Sequence, residues 1–476
     1  MEYRAKSSSY EACCAEGLDL SKGLDKSWFL SFFFLLLFAA TAAGSLTRTN
    51  VASLPGFDGA LPSRLETGYV TVDEDNGAEL FYYFIESEGD PSTDPVLLWL
   101  IGGDRCSVLS GLLLEIGPYK LVIEPYDGEL PRLRYHPYSW TKLASIIFVD
   151  SPVGVAFSYS RDPKGYDVGD VSASMQLIKL LKVHPEYLSN PFYVGGDSYA
   201  GKIVPFIVQK ISEDIESVVR PTLNLKVIPV QGKALTMTQQ CRFPMDSESF
   251  QINYMSFASP MPKLGTIDRK ILKEDGGVLQ HPPPQPSIKC TGYAGYLSYF
   301  WANSNVTRRT IGIKKDTVNE WLRCHEHDLP YTSDIRSSIK YHRNVTLKGY
   351  RALVYRLEML RHKREGVYDI AFIDPYVVHS TNVVDQPKEM ERNILRGYHD
   401  AVVPFLGTQA LVRSLKYPII DDWRAWHIDG QSAGFTIAYG NNLTFATVKG
   451  GGHTAPEFEP ERCFAMFKRW ISNMAL

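Results

Sequence analysis

The sequence predicts an α/β fold with a mostly parallel central sheet, and three stretches carry this prediction. VLLWLIGG, from Val96, and SIIFVDSPVG, from Ser145, are unbroken apolar runs that end in loops with glycine or proline. Such runs are typical of strands buried on both faces of a parallel sheet. The third stretch, FYVGGDSYAG from Phe192, has the layout of a strand that enters a sharp turn and leaves as a helix. Loops at the carboxyl ends of such strands carry the chemistry in open α/β sheets, so we expect the functional residues there.

The composition is that of an ordinary globular enzyme. Hydrophobic residues make up 44% of the chain, charged residues 22%, and the net charge is −3. This balance argues against a nucleic-acid partner, which would call for a basic surface. No His/Cys/Asp cluster has metal-ligand spacing, and no glycine-rich loop has the pattern that cradles phosphate. We therefore expect neither a metal nor a cofactor.

The first residues predict a leader and signal peptide over 1–43. WFLSFFFLLLFAATAAGS follows two lysines and ends in small residues, as a signal-peptide core with its cleavage site does. An uncleaved signal anchor is the alternative reading, but we expect no stable membrane span after cleavage. Three Asn-Xaa-Thr sequons agree with the secretory route and predict glycosylation at Asn305, Asn344 and Asn442.

Five cysteines remain once the leader is removed, and an oxidising route makes disulfides plausible. Their odd number leaves at least one thiol over. They are Cys106, Cys241, Cys290, Cys324 and Cys463.

Ser198 is the candidate nucleophile. At a nucleophile elbow the serine lies in strained backbone between small residues, which here are Gly196 and Ala200. A catalytic serine needs a base and an orienting acid, expected in the order Ser, Asp, His. Asp400 precedes Val402-Val403-Pro404, and His453 follows a β-branched run and three glycines. Three such residues in the right order, each at an inferred loop, predict a catalytic triad.

Six stretches of the chain resemble the plant serine carboxypeptidase-like proteins, relatives of the secreted serine carboxypeptidases on the α/β-hydrolase fold. They cover most of the mature chain: LPSRLETGYVTV, VLLWLIGGDRCSVLSGLLLEIGP, SIIFVDSPVGVAFSYS, HPEYLSNPFYVGGDSYAGKIVP, HDAVVPFLGTQALVRSL and TVKGGGHTAPEF. The resemblance implies a central sheet with helices on both faces, Ser198 as nucleophile and Asp400 and His453 as its partners. It further implies backbone oxyanion donors at Gly103 and Tyr199, a Cys106–Cys324 disulfide, and a vacuolar or extracellular location. Pairing of Cys290 with Cys241 is a guess.

The sequence departs from the family at the substrate-binding positions. Peptidase members hold a C-terminal carboxylate with an Asn before the two glycines and a Glu before the nucleophile. This chain has Ile101 and Asp197 there, beside Gly102, although Glu115 matches a family acid. Isoleucine cannot donate a hydrogen bond, so peptide cleavage is disfavoured.

An aspartate before the serine resembles the acyltransferase branch, which moves an acyl group from a glucose ester to an alcohol in secondary metabolism. Asp197 could equally serve only to cap the elbow. We therefore expect acyl transfer between a small-molecule donor and acceptor, with two alternatives. One is a serine carboxypeptidase acting on a peptide C-terminus, and the other is a catalytically inactive relative.

Two irregular regions motivate the inactive alternative, together with the Asp104-Arg105 pair where the family has Pro-Gly. The hydrolase domain is expected over 44–211 and 290–476. Between these ranges, 212–289 is expected to hold a shortened or remodelled cap. Residues 356–396 look like an insertion ahead of the catalytic acid, where a small positional error would be costly.

Overall fold

A computed structural model of the chain describes residues 46–181, 184–219, 222–231, 281–290, 292–325, 328–358, 405–450 and 453–476. These residues belong to one compact unit, Ser45–Leu476. Within them, no helix is both long enough and apolar enough to span a bilayer. The predicted signal peptide, Cys241 and Asp400 lie outside the described residues, as do most of the 212–289 and 356–396 segments.

The described strands form one large mixed sheet and one small hairpin. In chain order the strands are β1 Leu46–Val51, β2 Leu65–Asp73, β3 Ala78–Ile85, β4 Val96–Leu100, β5 Tyr119–Leu121, β6 Leu133–Tyr135, β7 Ser145–Val149, β8 Tyr159–Ser160, β9 Phe192–Gly196, β10 Leu225–Gln231, β11 Arg351–Glu358, β12 Ile419–Ile428, β13 Gln431–Tyr439 and β14 Leu443–Lys449.

The order of strands across the large sheet is β1-β2-β3-β7-β4-β9-β10-β11-β14-β13-β12, with β8 paired to β3 and β5 paired to β6 apart from it. From β7 to β14 every neighbouring pair is parallel. The strands on either side are antiparallel. β10 lies within the 212–289 interval, so the start of that interval contributes a strand to the sheet.

The helices connect or flank these strands. They are α1 Asp170–Leu180, α2 Ala200–Glu216, α3 Tyr293–Asn303, α4 Asn305–Thr310, α5 Ile339–Leu347, α6 Phe405–Ser414, α7 Ala455–Phe458 and α8 Pro460–Ile471, with a short π-helical turn at Gly111–Glu115. α2 is the longest, and its apolar residues recur at helical spacing, so one face is buried against the sheet.

Both faces of the central strands are buried. In β4, Leu97 and Trp99 belong to one apolar core, and Val96, Leu98 and Leu100 belong to the core on the opposite face. Successive side chains of a strand point to opposite faces, so an uninterrupted apolar run fills two cores at once. The α/β-hydrolase fold predicted from the sequence is confirmed, with parallel strands at the centre of the mixed sheet and antiparallel strands on either side.

The register of β4 and β9 brings two loops together at the carboxyl edge of the sheet. Leu100, the last residue of β4, pairs with Gly196, the last residue of β9. The Asp197 N–H then donates to the Leu100 carbonyl at 3.2 Å. The loop after β4, residues 101–106, which we call the glycine loop, therefore emerges beside the turn that carries Ser198.

Candidate active site

Ser198 lies in a tight turn between β9 and α2. Its φ is +49°, in the left-handed region that costs a non-glycine residue free energy. A Cβ on Gly196 would lie 2.4 Å from the Leu100 carbonyl oxygen and 2.5 Å from the Ala200 Cβ. Only glycine therefore fits before the turn. This is the geometry expected of a nucleophile elbow, which lifts a serine hydroxyl clear of the sheet.

His453 contacts the Ser198 hydroxyl. β14 ends at Lys449, and His453 follows four positions later in the sequence. The distance from His453 Nε2 to Ser198 Oγ is 2.8 Å, a hydrogen-bond distance between residues 255 positions apart. A histidine that can accept the serine proton is the arrangement required of a general base. Asp400 lies outside the described residues, so its role stays a prediction.

The glycine loop packs directly on the nucleophile. A Cβ on Gly102 would lie 2.4 Å from the Ser198 Cβ, and one on Gly103 would lie 2.4 Å from the Cys106 sulfur. Gly103 also has a φ of +79°. Both positions thus require glycine, because any side chain would displace the loop from the serine.

The Asp104-Arg105 pair, where the family has Pro-Gly, is held by new contacts. Arg105 Nε donates to Asp104 Oδ1 at 3.0 Å, and its Nη1 donates to the Leu329 carbonyl at 2.7 Å. The adjacent Cys106 forms a disulfide with Cys324, the pair that the resemblance implies. These ties fix the far end of the glycine loop to the segment that follows Arg323.

Two buried carboxyl groups lie behind the nucleophile. Asp197 is 1% exposed, and its Oδ1 accepts the Gly102 N–H at 2.7 Å. Burial raises the pKa of Asp197 to about 6, against the opposing effects of His453 and the Gly102 N–H. Burial, followed by the charge of Asp197, raises the pKa of Glu115 well above its ordinary value. Trp99 Nε1 donates to Glu115 Oε2 at 3.1 Å. Both acids therefore keep their protons to a higher pH than an exposed carboxyl group does.

The remaining predicted positions fall into two groups. Ile101 is half-buried and lines a cleft with Tyr199 and Asp104. The three sequon asparagines are exposed at the surface: Asn305, Asn344 and Asn442. Their glycosylation stays a prediction, as does the pairing of Cys290 with Cys241.

Sequence reasoning missed a polar cluster around Asp170 beside the elbow. The Asp170 carboxylate accepts the hydroxyls of Tyr199 and Tyr331, at 2.6 and 2.9 Å. Lys202 Nζ donates to the same carboxylate at 2.7 Å. In the sequence, Asp170 is typical of an acidic residue in the first turn of a helix, so no sequence signal predicts this network.

The serine carboxypeptidase family model matches residues 55–243 and 371–473. Serine carboxypeptidase-like 3 of Arabidopsis thaliana is 40% identical over 90% of this chain and 94% of its own length. Serine carboxypeptidase-like 17 of the same plant is 38% identical over 94% of this chain and 98% of its own length.

Among solved structures, a prohormone-processing carboxypeptidase from Saccharomyces cerevisiae superposes with a TM-score of 0.57 at 15% identity. The superposition covers 86% of this chain and 91% of the yeast chain, and at this identity it supports the fold alone. The family match and the identity to the plant relatives together place the chain: it belongs to the serine carboxypeptidase family, as a serine carboxypeptidase-like hydrolase of the plant type.

Proposed function

We propose that the protein transfers acyl groups through Ser198, with His453 as general base and Asp400 as the acid that orients it. The observation that carries this proposal is the 2.8 Å contact between His453 Nε2 and the hydroxyl of a serine held at φ +49°. Strained backbone at a serine paired with a histidine is characteristic of an acyl-enzyme nucleophile. Packing alone would require neither the strained backbone at Ser198 nor its hydrogen bond with His453.

The reaction proceeds in two steps. His453 takes the Ser198 proton as the hydroxyl oxygen attacks the carbonyl carbon of an ester, and the Gly103 and Tyr199 N–H groups bind the oxyanion that forms. Histidine then returns the proton to the leaving alcohol, and an acyl-enzyme remains. An acceptor hydroxyl repeats the sequence in reverse, giving a new ester and the free serine. Preorganised oxyanion donors are worth about 3 kcal/mol each in such reactions.

A glucose ester is the proposed acyl donor and an alcohol the proposed acceptor. Ile101 offers no hydrogen bond to a substrate carboxylate, and the Gly102 N–H already donates to Asp197 at 2.7 Å. A peptide C-terminus would therefore meet an occupied backbone donor and, once Asp197 ionises, a like charge. An uncharged ester meets neither obstacle. These contacts support acyl transfer over peptide cleavage.

Carboxypeptidase activity is the second candidate, and the buried acid pair is the observation that favours it. Since the pKa of Asp197 is raised to about 6, this carboxyl carries a proton in more acidic solution. A protonated Asp197 beside Glu115 could donate to a substrate carboxylate. Peptide cleavage, where it occurs, should be confined to pH values below about 6.

Two assays on the purified protein separate these functions. One supplies a blocked dipeptide at pH 4.5 and at pH 7, and the other supplies an aromatic acyl-glucose with an acceptor alcohol. We expect ester product in the second assay and none with Ser198→Ala. Cleavage of the dipeptide without transfer would replace the proposal with its alternative. Product from neither assay, over a panel of acceptors, would favour a catalytically inactive relative.

The domain arrangement and the location complete the proposal. Residues 44–211 and 290–476 form the hydrolase domain together with the end of α2 and β10, the rest of 212–289 supplies a remodelled cap, and the residues between the end of β11 and 396 are an insertion ahead of Asp400. The leader over 1–43 and the exposed sequon asparagines support passage through the secretory pathway to the vacuole or the cell exterior.

A further inference from the structure

The carboxylate of Asp170 joins three segments of chain next to the nucleophile. Asp170 is fully buried at the start of α1. Its Oδ1 accepts the Tyr199 hydroxyl at 2.6 Å and the Tyr331 hydroxyl at 2.9 Å. Its Oδ2 accepts Lys202 Nζ at 2.7 Å and the Ile335 N–H at 2.9 Å. The charge is thus paired and hydrogen-bonded, as a buried carboxylate requires.

Tyr199 links this carboxylate to the nucleophile elbow. It follows Ser198 directly, and it is the capping residue of α2, with φ −59° and ψ −31°. In the proposed function the backbone N–H of Tyr199 is one of the two groups that bind the oxyanion. The side chain of Tyr199 is held at its far end, where the hydroxyl contacts Asp170, Lys202 Nζ at 3.0 Å and Ser333 Oγ at 3.1 Å.

The segment that Asp170 anchors also holds the glycine loop. Residues 323–325 and 328–335 run from the Cys106–Cys324 disulfide to the Asp170 cluster. Near the disulfide, the His325 N–H donates to the Arg105 carbonyl at 2.9 Å. At the other end, the Asp170 N–H donates to the Thr332 carbonyl at 3.1 Å. The same segment therefore contacts the glycine loop at one end and, at the other end, Asp170, which binds the Tyr199 hydroxyl.

We infer that Asp170 is a positioning residue for the oxyanion hole and acts through the side chain of Tyr199. This inference rests on the proposed function, in which the Tyr199 N–H binds the oxyanion. A backbone donor aids catalysis only when it is fixed before charge develops. The elbow is strained at Ser198, so contacts outside the turn must hold it. The Asp170 carboxylate provides such a contact, because it accepts a hydrogen bond from the hydroxyl at the far end of the Tyr199 ring.

The test measures how fast a fluorophosphonate modifies Ser198, because the phosphonyl oxygen of the adduct occupies the oxyanion hole. Maximal rate and half-saturating probe concentration are measured separately for the parent, Tyr199→Phe, Asp170→Asn and the double variant. Tyr199→Phe removes only the hydroxyl and keeps the ring. We expect each single variant to lower the maximal rate about 10-fold or more with little change in half-saturation. The double variant should be no slower than the slower single variant, because both substitutions act on the Tyr199–Asp170 hydrogen bond, which Phe removes and Asn weakens by removing the charge.

Asp334→Asn is the matched control. Asp334 Oδ1 accepts the Val171 N–H at 3.0 Å, so it ties the same segment to the same helix without touching Tyr199. This variant should react at the parental rate. Thermal unfolding is recorded for every variant, since a purely structural role would lower the melting temperature and leave the maximal rate unchanged.

Three results would overturn the inference while leaving the proposed function intact: Tyr199→Phe reacting at the parental rate, Asp334→Asn slowing as much as Tyr199→Phe, or the two single effects multiplying in the double variant. A parent protein that is folded but unlabelled at Ser198 would instead defeat the proposed function, and the inference with it. If Asp170→Asn fails to fold, Tyr199→Phe against Asp334→Asn still decides.

Discussion

Gly102 leaves a space beside the nucleophile that no other residue would leave. A Cβ at this position would lie 2.4 Å from the Ser198 Cβ, far inside van der Waals contact. Because the neighbouring atoms belong to the elbow itself, the clash must move the serine, the glycine loop or both. Gly102→Ala should therefore slow acylation of Ser198 by about 100-fold, the effect of a displacement near 1 Å.

The control for Gly102→Ala is Gly295→Ala. Gly295 lies inside α3, and a Cβ there would come no closer than 3.7 Å, to Arg323 Cδ. An alanine in a helix interior costs nothing in propensity, so this variant should keep parental acylation and stability. Equal acylation rates in the two alanine variants would show that the packing of the glycine loop on Ser198 is not needed for the reaction.

The active-site residues show which parts of the site can be predicted from the sequence alone. Ser198 and His453 are predictable because an elbow and a loop histidine have local signatures, small residues around the serine and glycines before the imidazole. The Gly102 N–H to Asp197 contact joins residues 95 positions apart, and it depends on how β4 and β9 align. No local pattern encodes that alignment, so the sequence could suggest that Asp197 contacts substrate or caps the elbow, but not that it accepts the Gly102 N–H.

Among the elements, the disulfide between Cys106 and Cys324 closes a loop across 218 positions and ends the glycine loop. Replacing both cysteines with serine removes the constraint on the unfolded chain and should lower the free energy of unfolding by about 2 to 5 kcal/mol. It should also slow Ser198 acylation, because Gly103 packs against the Cys106 sulfur. Denaturant unfolding and fluorophosphonate labelling measure the two effects.

Cys463→Ala is the control for the double serine variant. Cys463 is buried among apolar residues and is not disulfide-bonded. Its truncation should cost about 1 kcal/mol of stability through lost packing and leave acylation unchanged. A double serine variant that unfolds more easily yet acylates at the parental rate would limit the disulfide to a stabilising role.

The central strands could be predicted from sequence, whereas the outer ones could not. β4, β7 and β9 are uninterrupted apolar runs, because both of their faces are buried. β12 is the edge strand, its side chains are mostly exposed or half-buried, and its pairing with β13 is irregular in register. A strand with a solvated face needs less apolar sequence, so its pattern resembles that of a loop.

At the scale of the whole molecule, the buried acids make stability depend on pH. The pKa of Asp197 is raised from 3.8 to about 6, and the pKa of Glu115 is raised in the same direction. Between pH 4 and 6 these two acids therefore hold more protons in the folded protein than in the unfolded chain, and they lower the free energy of unfolding as pH rises through this range. Burial lowers the pKa of His136 to about 3 and that of His342 to about 4, so these two histidines act in the opposite direction. The raised pKa of Asp197 corresponds to about 3 kcal/mol of stability that is lost above pH 6.

Chemical denaturation across this pH range measures the effect. Asp197→Asn removes one group whose pKa is raised by folding, so the stability of the variant relative to the parent should increase as pH rises from 4 to 6. Asp316→Asn, at an exposed position, should follow the parental curve. Parallel curves for the parent and Asp197→Asn would mean that Asp197 ionises in the folded protein as it does in water.

The most direct test of the central claim is to locate the adduct of a fluorophosphonate on the folded protein by peptide mass spectrometry. The account predicts a single modified residue, Ser198, with modification lost in Ser198→Ala and greatly slowed in His453→Ala. Circular dichroism of each sample establishes that the protein is folded. A folded parent left unmodified at Ser198, or modified equally fast in His453→Ala, would contradict the claim that these two residues form an acyl-transfer site.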